Sequence, residues 1–207
     1  MQIEFFFDCS SPWTYLAFEQ IQRIVPQFDA QIIWRPILVG GIFNAVNPGV
    51  EFFKKKDQLP PRKIDYIMKD MADWAHHIGV TIHFPPAGHP VNSVKVMRGC
   101  LLLEPEGKLI PFARAAFQAY FGEQRLISDD SVIADLCRQV DVDPAWLLAR
   151  VAEQDVKDAL RANVDEAISR GAFGSPTMYL DRDDMYFGVD RIQLLSAAME
   201  RKSGMGA

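Results

Sequence analysis

The sequence predicts an α/β fold assembled from two separated halves, β-α-β at the start and α-β-β-α at the end, with an all-helical segment inserted between them. Three observations predict it. An apolar run from Ile3 to Phe7 leads directly into Ser11-Pro12 and a helix-compatible stretch, and a second apolar run follows at Gln31 to Arg35. The middle of the chain carries apolar residues at helical spacing. Past Gly171 the pattern changes to two short runs flanking Asp181-Arg182-Asp183-Asp184, then to a last helical stretch.

Each element has a local reason. Ile3 to Phe7 is rich in the residues that suit a strand. Pro12 is pre-set for a first helical turn, Ser11 stands at its N-cap position, and Pro26 stops the helix near Val25. Tyr15, Leu16, Phe18 and Ile21 occupy more than one face of that helix. Gln31 to Arg35 reads as a second strand, parallel to the first through a right-handed crossover. Gly40-Gly41, Asn47-Pro48-Gly49 and Pro60-Pro61 give residues 36–61 the composition of a long loop with short helical pieces over a site, and Lys54-Lys55-Lys56 reads as a solvated cluster.

Arg62 to Ile78 is a helix by its spacing of Ile64, Ile67, Met71, Trp74 and Ala75, stopped by Gly79. Asn92 to Leu103, Pro111 to Phe121, Asp129 to Val140 and Pro144 to Val151 follow as helices, the last with Asp143 as cap before Pro144. Asp155 to Arg170 carries Val156, Leu160, Val164 and Ala167 on one stripe and ends at Gly171. Pro176 to Leu180 and Met185 to Gly188 then form an antiparallel hairpin, and Asp190 is expected to cap a final helix through Met199. This order is that of a thioredoxin fold interrupted by helices: residues 1–36 and 155–207 form a discontinuous thioredoxin-like domain, and residues 37–154 a loop and helical insertion domain. The halves must meet, because neither closes a sheet alone.

Composition narrows the function. A net charge of −5 argues against a nucleic-acid partner, which needs a concentrated basic face. Cys9, Cys100 and Cys137 are an odd count without paired spacing and suit a reducing compartment. The opening Met1-Gln2-Ile3-Glu4 lacks a basic region and a long apolar stretch, so neither signal peptide nor membrane span is expected and a cytoplasmic location is. Ser203 to Ala207 reads as a frayed tail. His76, His77, His83 and His89 fall close together, yet adjacent helical histidines point apart and no cysteine pair completes a site, so no metal is expected.

The chemistry gathers at Cys9-Ser10-Ser11-Pro12-Trp13, where a strand end meets a helix start. The unpaired N–H groups and partial positive charge of a helix N-terminus stabilise an anion there. Cys9 has no partner at Pro12, which excludes dithiol exchange within the loop. Ser11 has no nucleophile elbow around it, and its bland role is an N-cap. Any thiol chemistry therefore uses a thiol from outside.

FFFDCSSPWTYLAFEQ resembles the N-terminal motif of the 2-hydroxychromene-2-carboxylate isomerases and the related kappa-class glutathione transferases, whose plan is DsbA-like. The resemblance implies glutathione as cofactor and Ser11, before the proline, as the catalytic serine that stabilises its thiolate. Lowering a thiol pKa by about two units from roughly 8.5 is worth roughly 2.7 kcal/mol and makes it mostly anionic at neutral pH. Gly171-Ala172-Phe173-Gly174-Ser175-Pro176-Thr177 matches the place where thioredoxin-like proteins carry a cis-proline, so Ser175 and Pro176 are expected to meet the cysteinyl unit. Gly188-Val189-Asp190-Arg191 matches the family motif that places Val189 and Asp190 at the γ-glutamyl end, and Asn47 and Lys63 correspond to residues at the glycyl end.

Trp13, Trp34 and Asn92 are the expected contacts for a flat aromatic acid, with Phe43 a further aromatic candidate. The reaction implied is reversible thiolate addition that lets a double bond rotate, giving trans-o-hydroxybenzylidenepyruvate and regenerating glutathione. The resemblance also implies a homodimer. A kappa-like transferase or peroxidase and a non-catalytic glutathione- or peptide-binding module stand as alternatives, and the missing second cysteine disfavours a thiol–disulfide oxidoreductase.

Overall fold

The computed structural model describes residues 1–49 and 59–204, so the expected Lys54-Lys55-Lys56 cluster and the end of the expected tail lie outside the described residues. In chain order the elements are β1 (Gln2–Phe7), α1 (Pro12–Ile24), β2 (Gln31–Pro36), α2 (Val39–Val46), α3 (Pro61–Ile78), α4 (Val94–Leu103), α5 (Leu109–Phe117), α6 (Asp130–Gln139), α7 (Pro144–Arg150), α8 (Gln154–Ser169), β3 (Thr177–Leu180), β4 (Asp184–Phe187) and α9 (Ile192–Ser203). The four strands make one sheet in the order β2-β1-β3-β4. β1 runs parallel to β2 and antiparallel to β3, and β3 antiparallel to β4. The two halves of the chain therefore meet at the β1–β3 seam, where Phe5 opposes Met178 and Ile3 opposes Leu180.

Alternation along β1 divides its side chains between two faces. Ile3, Phe5 and Phe7 join Met178, Leu180, α1 and the inserted helices in one large core. Phe6 points the other way and packs with Tyr179, Ile37, Ile42, Ala167 and Ala172 beneath α2 and α8. On that second face Glu4 accepts from Arg170 at 2.8 Å and from Arg35 at 3.4 Å, and Glu166 holds the same two arginines at 3.0 and 2.6 Å. The Arg170 guanidinium also lies 4.0 Å from the centre of the Tyr179 ring. This polar clamp joins β1, β2 and α8 beside an apolar layer.

α1 is buried on almost every side, from Thr14 through Ile21 with Glu19 as the exception, because it lies between the sheet and the insertion. Tyr15 stacks on Phe117 at 4.8 Å, so the insertion shares the sheet's core and no apolar boundary falls at residue 37 or 154. α3 ends where Gly79 takes a left-handed conformation at φ 78°, and Asp143 caps α7 through Ala145 N–H at 3.0 Å.

Several boundaries differ from the sequence expectation. α5 begins at Leu109, ahead of Pro111, since proline is tolerated anywhere in a first turn, and it passes into a π-helical turn over Gln118–Gly122. α4 starts at Val94 because Asn92 Oδ1 accepts the Val94 N–H at 3.0 Å and holds a turn ahead of the helix. Asp190 does not cap the last helix. It lies inside a single 3₁₀ turn, Val189–Arg191, and α9 begins after it with no side-chain cap.

Candidate active site

Ser11 stands at the N-cap of α1, with its Oγ accepting the Thr14 N–H at 3.2 Å. That bond uses an acceptor site of the hydroxyl and leaves its proton to be placed. The nearest acceptor is the Ser175 carbonyl at 3.5 Å, well beyond the 2.5–3.0 Å of a good O–H···O bond. Ser11 thus carries a weakly committed O–H donor beside the positive end of a 13-residue helix.

Opposite Ser11, the Ser175–Pro176 peptide bond is cis. Thr14 Oγ1 and Ser175 Oγ are 2.7 Å apart and both residues are buried, so one short hydrogen bond fastens α1 to this loop. The Ser175 backbone N–H has no hydrogen-bond partner among the described residues. An amide and a carbonyl are therefore left for an extended ligand backbone.

The end of β4 completes this side. Gly188 has φ 96°, a conformation open to glycine, and a Cβ there would stand 2.8 Å from Asp190 Oδ1. Its absence lets Asp190 fold back over the turn, where it lies 3.7 Å from Arg191. A cleft of about 1,020 Å³ runs between these segments and α3, lined by Ser175, Pro176, Val189, Asp190 and Trp13 on one side and by Tyr66, Asp70 and Trp74 on the other. Lys63 is three, seven and eleven residues before those α3 residues, placing it on the same helical stripe, exposed, one turn beyond the cleft.

Four expected residues lie elsewhere. Asn47 ends α2, with its side chain donating to Phe43 O at 2.9 Å, and is not part of the cleft wall. Asn92 lines a second cavity of about 340 Å³ with Asp8, Ser10 and the start of α2. Trp34 is a correction: it is buried in the core, with Phe18, Phe5 and Phe7 rings at 5.0, 5.3 and 5.8 Å, because β1–β2 pairing places it on the inner face of the sheet. Phe43 is likewise buried in α2, away from the cleft.

Beneath Ser11, Asp8 is buried and ties the corner together. Its two oxygens accept the Ser10 N–H at 2.9 Å and the Val39 N–H at 2.8 Å. Burial pushes the Asp8 carboxyl up, against those bonds and the hydroxyls of Ser93 and Ser10, which pull it down. Cys9 is fully buried, and its thiol is pushed well up by that burial first and then by Cys100 and Asp8. It is the reverse of an activated thiol. Among the described residues no group of three His, Cys, Asp or Glu side chains is placed to hold a metal.

Residues 2–200 match the family model described as a DSBA-like thioredoxin domain. The chain belongs to the DsbA-like thioredoxin family. Within that family it is 26% identical over 204 residues to a 2-hydroxychromene-2-carboxylate isomerase of Pseudomonas putida, covering 97% of this chain and 95% of that one. It is 27% identical over 212 residues to glutathione S-transferase kappa 1 of Homo sapiens, covering 97% and 91%. The solved structure of a 2-hydroxychromene-2-carboxylate isomerase superposes with a TM-score of 0.85 at 25% identity, with both chains fully covered. By name, these relatives of the DsbA-like chain are enzymes. No helix among the described residues is long and apolar enough to cross a membrane.

Sequence reasoning missed three contributors to this DsbA-like corner. Thr14 carried a signal, a hydroxyl on an otherwise apolar helical turn directly after the motif. Asp8 carried one too, an acid closing an apolar strand. The Tyr66, Asp70 and Trp74 stripe was hidden behind the apolar spacing of the same helix, although Tyr66 is 66% exposed.

Proposed function

We propose that this chain is a glutathione-dependent isomerase that converts 2-hydroxychromene-2-carboxylate, or a similar aromatic acid, to trans-o-hydroxybenzylidenepyruvate. The observation that carries the reading is the Ser11 hydroxyl, anchored as an acceptor by Thr14 N–H and holding a proton that Ser175 O takes only at 3.5 Å. The corner suits glutathione by its donor set: the unpaired Ser175 N–H and weakly used C=O suit an extended peptide, Asp190 suits an ammonium group, and Lys63 suits a carboxylate. When bound, glutathione supplies a thiol whose ionised form adds reversibly to a conjugated double bond.

The chain's own part is to hold and ionise that thiol. Ser11 donates its O–H to the sulfur, and the first turn of α1 adds positive potential, so the anion is favoured over the thiol. Ser11 stabilises and does not attack. Ser175 and Pro176 align the peptide along the start of β3, Val189 packs against it, Asp190 orients the γ-glutamyl end, and Lys63, one turn beyond the cleft, meets the glycyl end, while Asn47 at the end of α2 stays outside it. Trp13, Tyr66 and Trp74 give the cleft flat walls that suit an aromatic ring, while Asn92 serves a substrate that reaches the second cavity past Ser10. The same reading carries a homodimer and a cytoplasmic setting.

The test is an assay of the chromene substrate with and without glutathione that follows both the aromatic product and free thiol. Product formation that requires glutathione without depleting it supports the isomerase. Glutathione consumed in step with an electrophile, without isomerised product, supports a kappa-like transferase, the reading favoured by relatives of that name at 27% identity. Binding without either turnover returns the module.

A further inference from the structure

Away from the cleft, α4 and α8 enclose a cavity of about 260 Å³ with Leu38 at its edge, lined by Arg98, Gln154, Lys157, Asp158 and Arg161. Gln154, Lys157, Asp158 and Arg161 are spaced i, i+3, i+4 and i+7 and so form one helical face, with Leu160 of the same helix also lining the cavity. Three cations face one carboxylate, and that carboxylate already accepts from Gln154 Nε2 at 2.8 Å.

Arg35, Arg114, Arg125, Arg150 and Arg170 each carry an acidic partner, whereas Arg98, Lys157 and Arg161 form no ion pair among the described residues. Arg98 is half-buried. Its Nη1 donates to Val151 O at 3.1 Å, and its Nε is shut away from solvent without a hydrogen-bond partner among the described residues. A guanidinium held partly out of water without a counter-charge is costly, and an anion removes that cost.

We propose that this cavity binds a small dianion, the phosphoryl or dicarboxylate head group of a metabolite, with Arg98 as the buried hook and Lys157 and Arg161 as the rim. The excess of positive charge matches a dianion. The volume lies below the roughly 300–1,000 Å³ of pockets that enclose a whole drug-sized ligand, so the head group enters and the remainder lies along the surface. The site shares only Leu38 with the cavity beside Ser10 and does not depend on the glutathione reading.

The experiment is calorimetric titration of the full chain with inorganic phosphate, phenyl phosphate and succinate at low salt. At least one saturates at one site per chain and weakens as salt is added, and the stronger binder tells phosphoryl from dicarboxylate. Lys157→Gln with Arg161→Gln, on the half-buried and exposed part of α8, keeps the fold and weakens binding at least roughly tenfold. Arg98→Met keeps the side-chain stem and weakens it as well. Absence of saturable binding by all three anions overturns the proposal, as does affinity unchanged in the Lys157/Arg161 double variant.

Discussion

Thr14→Val removes the donor or acceptor that ties α1 to the Ser175 loop while keeping the branched shape of the side chain. The bond is 2.7 Å long, and Thr14 is fully buried and Ser175 7% exposed, so the Ser175 hydroxyl left behind finds no ready water. A buried neutral hydrogen bond contributes about 0.5–1.5 kcal/mol, and orphaning one partner costs about 1–3 kcal/mol. A loss near 2 kcal/mol is expected for Thr14→Val, which in a chain of this size lowers Tm by roughly 4–8 °C. Ser175→Ala orphans the Thr14 hydroxyl in turn and is expected to cost a similar amount. The double variant orphans neither, so it is expected to be no less stable than the worse single variant, giving a coupling of about 1 kcal/mol or more. Urea unfolding of the four proteins measures this. Additivity within about 0.5 kcal/mol would refute the reasoning, because contacting partners must couple and independent sites add within that margin.

Asp8→Asn replaces an acceptor pair with one acceptor and one donor, so either the Ser10 or the Val39 N–H faces an N–H group. Stability falls by about 1–3 kcal/mol and the start of α2 loosens, read as faster amide exchange at Val39; unchanged protection there contradicts the role given to Asp8. Glu4 makes stability depend on pH. Burial alone raises its carboxyl, but Arg170 and Arg35 outweigh burial and hold it below its ordinary value. Its contribution is therefore present in full above about pH 4.3 and lost as pH falls from there through the lower folded value. Glu4→Gln lowers stability at pH 7, and the gap from the parent narrows as pH falls below about 4.3 in urea unfolding; a gap that stays constant with pH contradicts the ion-pair account.

The fold was legible because its punctuation is local. Ser11-Pro12, Asp143-Pro144, Gly79 and Gly171 mark helix ends by their own backbone preferences, and the apolar runs at 3–7 and 31–35 mark strands. The site was legible in part, since Ser11, Ser175 and Asp190 sit in three motifs that the β1–β3 seam brings to one end of the sheet. Trp34 was misread because an aromatic residue beside a strand end looks alike whether it faces a cleft or the core, and only the pairing of Trp34 with Phe5 fixes its side. Asp190 was misread as a cap because Asp before an apolar stretch carries that pattern even when a 3₁₀ turn intervenes. Thr14–Ser175 and Asp8–Val39 are contacts across 161 and 31 residues, which no local pattern announces.

The measurement that bears most directly on the central claim is a pH titration of thiolate ultraviolet absorbance for glutathione bound to this chain, beside Ser11→Ala. The account predicts a bound thiol pKa well below the roughly 8.5 of a free thiol, returning toward that value in Ser11→Ala. The variant stays folded and loses about 1 kcal/mol with the cap. A bound thiol that titrates near its free value, or a lowered pKa that is unchanged in Ser11→Ala, contradicts the account.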